Sequence, residues 1–307
     1  MLAPDVTKLD PEQLRQYGGL ELLARQVVEG FIVGLHKSPF HGFSVEFAEH
    51  RLYNQGEATR HIDWKLYGRT DRLYIKRYEE ETNLRCQLVI DTSGSMYYPL
   101  KQFNKLQFSV YATAAIAYML KGQRDAAGLA TYSDRINQFL PARSSGVHQK
   151  QMNATLEQLL VSTPTGTPTS TASALHEIAE RMHKRSMIVI FSDMFQAGNE
   201  TEELFEALQH LKFNKHEVML FHTVDEIEEL NFSFDNRPHK FVDLETGTSI
   251  KLNPNEIKDS YIDQTLLWRD AIKNRCIQYK IDFIEADIRK GFNQVLLPYL
   301  IKRKKMR

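Results

Sequence analysis

Cysteine is scarce: Cys86 and Cys276 are the two in 307 residues, far apart and without CxxC spacing. That excludes a disulfide scaffold or a cysteine-rich zinc site, and a reducing, cytoplasmic setting is expected. Charge of one sign is also lacking. Lys plus Arg number 39 and Asp plus Glu number 39, so no global field draws the chain to nucleic acid or an anionic membrane. Long oily runs are missing. AAIAYML at 114–120 falls far short of the roughly 20 apolar residues a membrane span needs. The opening MLAPDVTKLDPEQLRQ has neither a basic n-region nor an apolar h-region, and no signal peptide is expected there. There is no glycine-rich phosphate loop and no GxSxG elbow. HEIAERMH sets His176 and His183 seven apart, not at the spacing of a zinc protease. Surface or capping roles are expected for both histidines.

What is present is the makings of a core, with 42% hydrophobic and 25% charged residues. From about residue 85, short β-branched runs alternate with helical patterns. Strands are expected at 86–91, 126–132, 135–140, 186–193, 217–224 and 281–286. Helices are expected at 101–122, 147–161, 171–184, 200–213, 254–278 and 291–303. Oily runs separated by helices predict an α/β, doubly wound, mostly parallel sheet covered on both faces. HKFVDLETGTSIKLNP at 239–254 reads as an inserted β-hairpin. Residues 1–84 read as an N-terminal appendage of one helix and an extended arm, beside a main domain over 85–307. The helix, within 13–35, places Leu20, Leu23, Val27, Phe31 and Leu35 on one face. The basic end KRKKMR at 302–307 reads as a solvated, frayed terminus.

In a doubly wound sheet, ligands gather beyond the carboxyl ends of strands, where strand order reverses. CQLVIDTSGSM at 86–96 puts Asp91 at such an end, with Ser93 and Ser95 at alternate positions after it. IVIFSD puts Asp193 at another end, and PTGTPTSTASAL at 164–175 offers Thr167, Thr169 and Thr171 before a helix. Carboxylates and hydroxyls are hard oxygen ligands and suit Mg²⁺, with Mn²⁺ or Ca²⁺ as alternatives. Each residue has an ordinary role too, since Asp and Ser are common in turns and Ser95 can cap a helix. Three loops in chain order, each with a hard ligand, weigh toward a metal site.

DTSGS, the threonine loop and FSD together resemble the metal-ion-dependent adhesion site of von Willebrand factor type A domains. On that resemblance Asp91, Ser93 and Ser95 match the first element and Asp193 the late aspartate. Thr169 matches the threonine, five residues before Ala174-Leu175, with Thr167 as the fallback. HRLYNQGEATRHIDWKLYGRTDRLYIKRYEEE, with FVDLETG at 241–247, resembles the bacterial family called domain of unknown function 58. The chain departs from it at Gly56-Glu57-Ala58, where the family often has a second acid.

The resemblance implies a non-enzymatic, Mg²⁺-dependent interaction module whose partner donates an Asp or Glu to the metal. It further implies association with a MoxR-type AAA+ ATPase. Arg51, Tyr53, Arg60 and Trp64 are candidates for partner recognition, against a structural role in fixing the arm. The competing expectation is Mg²⁺-dependent phosphotransfer with Asp91 as acceptor, weakened by Ser93 where such phosphatases want a second acid.

Overall fold

The computed structural model describes residues 19–36, 50–52, 64–76, 84–100, 102–164, 170–195 and 201–306. The chain divides into two compact units, Val33–Asn83 and Met1–Ile32 together with Leu84–Arg307. Helix α1 (Leu20–His36) buries Leu20, Leu23, Ala24, Val28 and Phe31. The apolar stripe thus runs through Ala24 and Val28, with Val27 at its margin. Glu157 accepts from the Leu20 N–H at 3.2 Å, and Lys121 pairs with Glu21 at 2.7 Å. In the smaller unit, β1 (His50–Leu52) pairs antiparallel with β2 (Tyr74–Lys76), and α2 (Trp64–Thr70) falls between them in sequence.

The larger unit begins with β3 (Arg85–Asp91), buried at every position after Arg85. Helix α3 (Lys105–Gly122) follows and is buried almost all round. The helix starts at residue 105, not 101, because Asn104 caps it: its side chain accepts from the Gln107 N–H, and Gln107 answers with the reciprocal bond. Next come β4 (Ala126–Tyr132), β5 (Ile136–Arg143), α4 (Gly146–Leu160), α5 (Thr171–Arg181), β6 (Met187–Ser192), α6 (Thr201–Phe213) and β7 (Glu217–Val224). The expected hairpin is β8 (His239–Val242) paired with β9 (Ser249–Leu252). Helix α7 (Pro254–Gln278), β10 (Asp282–Asp287) and α8 (Asn293–Lys305) complete the chain.

Six strands form one sheet in the order β10-β7-β6-β3-β4-β5, parallel throughout except for β5, which runs antiparallel at the edge. This is the doubly wound α/β architecture. Strands β3, β4 and β6 read as continuous apolar runs because helices cover both faces. Each fully buried Leu or Ile in them contributes about 1.5–3 kcal/mol relative to exposure. Strand β5 mixes partly buried and exposed residues, with none fully buried, as an edge strand does.

The basic end is not frayed. Through residue 305 it is the last turn of α8, where Arg303 is 9% exposed and donates to Asp125 at 2.5 and 2.9 Å. Lys302 pairs with Glu217 at 2.8 Å and Asp282 at 2.9 Å. Acids lie where the tail docks, and a sequence reading cannot see them. Among the described residues no helix is long and apolar enough to cross a membrane.

Candidate functional site

Strand order reverses between β3 and β6, so their carboxyl ends flank a crevice. Ile90 is in register with Phe191, which sets Asp91 beside Ser192. Ser192 Oγ donates to Asp91 Oδ2 at 2.6 Å, and the Tyr132 hydroxyl donates to the same oxygen at 3.3 Å. The other oxygen, Oδ1, accepts the Ser93 N–H at 2.9 Å, the Asx turn expected of an aspartate at a strand end. Beyond it, Gly94–Tyr97 forms one 3₁₀ turn, and Ser93 Oγ lies 3.0 Å from Ser95 Oγ. Asp91 is 1% exposed. Burial, and then the neighbouring Asp193 carboxylate, push its acid up to about 6.

Asp193 follows the last residue of β6 and is aimed by a sharp turn. Met194 takes a positive φ of 52° while its N–H donates to Ser192 Oγ at 2.8 Å, and the Phe195 N–H donates to Asp193 Oδ1 at 3.0 Å. Lys105 Nζ, from the first turn of α3, donates to Asp193 Oδ2 at 2.7 Å and to Glu229 Oε1 at 2.5 Å. Burial opposes charge on Asp193, but the Lys105 ammonium and the Ser95 hydroxyl hold it below the usual carboxylate range. Burial likewise opposes charge on Lys105, yet Asp193 and Glu229 keep it protonated. His222 Nε2 meets the Asp193 carbonyl at 3.0 Å, and burial lowers the imidazole to about 4, leaving it neutral.

The hairpin stands against this loop. A Cβ on Gly94 would lie 2.7 Å from the Leu244 carbonyl oxygen and 3.1 Å from Glu245 Cγ, so only glycine allows the approach. Asp243 fixes the hairpin turn by accepting from the Glu245 N–H at 2.8 Å and the Thr246 hydroxyl at 2.6 Å.

Asp91, Ser93, Ser95 and Asp193 therefore meet at one point. Thr169 and Thr167 lie outside the described residues, as do Tyr53 and Arg60. Arg51 falls in β1 and Trp64 opens α2. Sequence reasoning missed Ser192, Tyr132, Lys105 and Glu229. Ser192 and Tyr132 were findable as polar residues closing buried strands. Lys105 was one of two lysines, with Lys101, at the start of the expected helix, a weaker signal. His176, half-buried on α5, sets its Nδ1 2.9 Å from His210 Nδ1 on α6, and His183 is exposed. Among the described residues no three His, Cys, Asp or Glu side chains cluster to hold a metal, so a cation here would depend on hydroxyl oxygens as well.

The family model described as "Protein of unknown function DUF58" matches residues 49–266. Curated relatives are "Uncharacterized protein Mb1516" of Mycobacterium bovis and "Uncharacterized protein Rv1480" of Mycobacterium tuberculosis. Each is 28% identical over 193 residues, covering 63% of this chain and 60% of the relative. The match thus spans less than two thirds of their length. Among solved structures, BatB from Bacteroides thetaiotaomicron is 14% identical with a TM-score of 0.44, covering 73% of this chain and 100% of that one. The SpRpn10 VWA domain is 10% identical with a TM-score of 0.37, covering 70% and 94%. At such scores the fold rests on the strand order described above and not on these superpositions.

Proposed function

The chain belongs to the DUF58 family, and from that membership and the site's geometry we propose a non-enzymatic protein-interaction module that uses Mg²⁺ to capture an acidic side chain. The observation that carries this reading is the convergence of Asp91 and Asp193, both buried, with the Ser93 and Ser95 hydroxyls at the sheet's switch point. The donor set fits a hard dication, being oxygen throughout. Asp91, Ser93, Ser95 and Asp193 would hold it, with Thr169 as the fifth residue on family resemblance. Mn²⁺ and Ca²⁺ are the alternative ions. A bound dication supplies counter-charge for two buried carboxylates and a point of attraction for a partner's oxygen. With few acids among its ligands, such a site favours an Asp or Glu brought by another protein. The partner implied by family resemblance is a MoxR-type AAA+ ATPase, with this chain as its adaptor in the cytoplasm.

Phosphotransfer through Asp91 is the weaker reading. Both carboxylate oxygens are engaged by Ser93, Ser192 and Tyr132, and the group is almost wholly covered. Two residues on, where phosphatases of that kind want a second acid, the chain has Ser93.

The test is titration of the purified chain with Mn²⁺, followed by electron paramagnetic resonance, and capture of a purified MoxR-type ATPase in Mg²⁺ and in EDTA. Expected is one bound Mn²⁺, displaced by Mg²⁺ and lost in Asp91→Ala, and capture that EDTA abolishes. Unchanged Mn²⁺ binding in Asp91→Ala would remove the site. Capture indifferent to EDTA would remove the metal from recognition.

A further inference from the structure

Beside the serine loop lies a cavity of about 260 Å³, walled by Phe195, Val224, Leu230 and Trp268 and floored by Lys105 and Asp193. Asp193 is shared: its carboxylate faces the site described above and also closes this cavity. The charged floor is already satisfied from within. Lys105 is bound by Asp193 and Glu229, Asp193 Oδ1 takes the Phe195 N–H, and Glu229 Oε2 takes the Asp225 N–H at 2.8 Å. These charged groups hold one another, and the apolar side chains in the lining favour an apolar occupant. His222 also lines the cavity, with its Nδ1 buried and without a hydrogen-bond partner among the described residues. The walls supply the attraction. Phe195 is 59% exposed, its ring 5.9 Å from that of Trp268 and tilted by 58°.

Size narrows the occupant further. A cavity of about 150 Å³ holds benzene, while drug-sized ligands occupy about 300–1,000 Å³. The space is therefore that of one side chain. We propose that it receives an aromatic or branched aliphatic side chain of a protein partner, next to the acid that reaches the serine loop. The pairing with the acid rests on the Mg²⁺ reading; the apolar specificity of the cavity does not. The partner's recognition element then reads acid followed by bulky apolar residue, one for each side of Asp193.

The test uses four capped dipeptides: N-acetyl-Glu-Phe-amide, N-acetyl-Glu-Gly-amide, N-acetyl-Glu-Arg-amide and N-acetyl-Ala-Phe-amide. Each is titrated in Mg²⁺ and in EDTA while the Trp268 indole N–H resonance is followed, assigned with Trp64→Phe. Expected in Mg²⁺ is binding of Glu-Phe at least about tenfold tighter than Glu-Gly, from burial of one aromatic side chain. Phe195→Ser should erase most of that gain and leave Glu-Gly binding unchanged. Equal affinity of Glu-Phe and Glu-Gly overturns the proposal, as does a preference for Glu-Arg. Failure of every peptide to shift Trp268 overturns it too. If Ala-Phe shifts Trp268 and Mg²⁺ adds nothing for Glu-Phe, the cavity stands and the Mg²⁺ reading falls.

Discussion

Lys105 and Asp193 stand 88 positions apart in the chain and form a 2.7 Å ion pair with almost no solvent contact. The ammonium also holds Glu229, so one cation restrains two acids at the base of the site.

Lys105→Met should leave both acids without their cation. Removing one partner of a buried pair costs about 3–5 kcal/mol, and the part-exposed Glu229 places the expectation at the lower end. Urea unfolding at neutral pH in EDTA measures it. A loss under about 1 kcal/mol would mean that water replaces the ammonium freely.

Gly94→Ala should lift the hairpin, because its Cβ would meet the Leu244 carbonyl oxygen at 2.7 Å. Forcing such a contact costs about 1–3 kcal/mol. Hydrogen exchange should quicken at Glu245 and Gly247, whose N–H groups Asp243 holds, while β3 amides stay protected. Unchanged exchange in the turn would show that the loop, not the hairpin, gives way.

Arg303→Met strands Asp125 and should destabilise the chain by about 3 kcal/mol. Lys305→Ala, at an exposed position in the same turn, should stay within about 0.5 kcal/mol. Thermal melts of the two variants side by side decide it. Equal effects would return the tail to a solvated terminus.

Neither thiol should react in the native state. Burial pushes Cys276 up to about 12 and Cys86 higher still, so both are protonated and covered at pH 8. Labelling with a maleimide should be negligible until urea is added, and should then reach both residues. Rapid native labelling of Cys276 would show that α7 opens.

The sheet was legible because its strands are bounded by turns and because near-complete burial makes β3, β4, β6 and β7 continuous oily runs. Asp91, Ser93, Ser95 and Asp193 were legible for a related reason: in this topology a polar residue after a buried strand has one place to go. Other features depend on pairings that no local pattern carries. Lys105 looks like the start of a helix until Glu229 arrives from the far side of β7. KRKKMR looks like a tail until Asp125 and Asp282 meet it. ETGT announces a turn but not that Leu244 rests on Gly94, 150 positions earlier. On helix α1, Leu20, Leu23 and Phe31 are buried as expected and Val28 takes the place given to Val27, two residues that composition cannot tell apart, while Leu35 lies outside the residues whose side chains the structure describes.

Asp193 lies between two spaces, its carboxylate bonded to Ser95 of the serine loop and to Lys105 at the cavity. Any ligand that moves it on one side must alter affinity on the other by the same factor that the second ligand exerts on the first. Were the two proposed ligands to bind, this one side chain would make the two sides reciprocal reporters, each read from the other without a label.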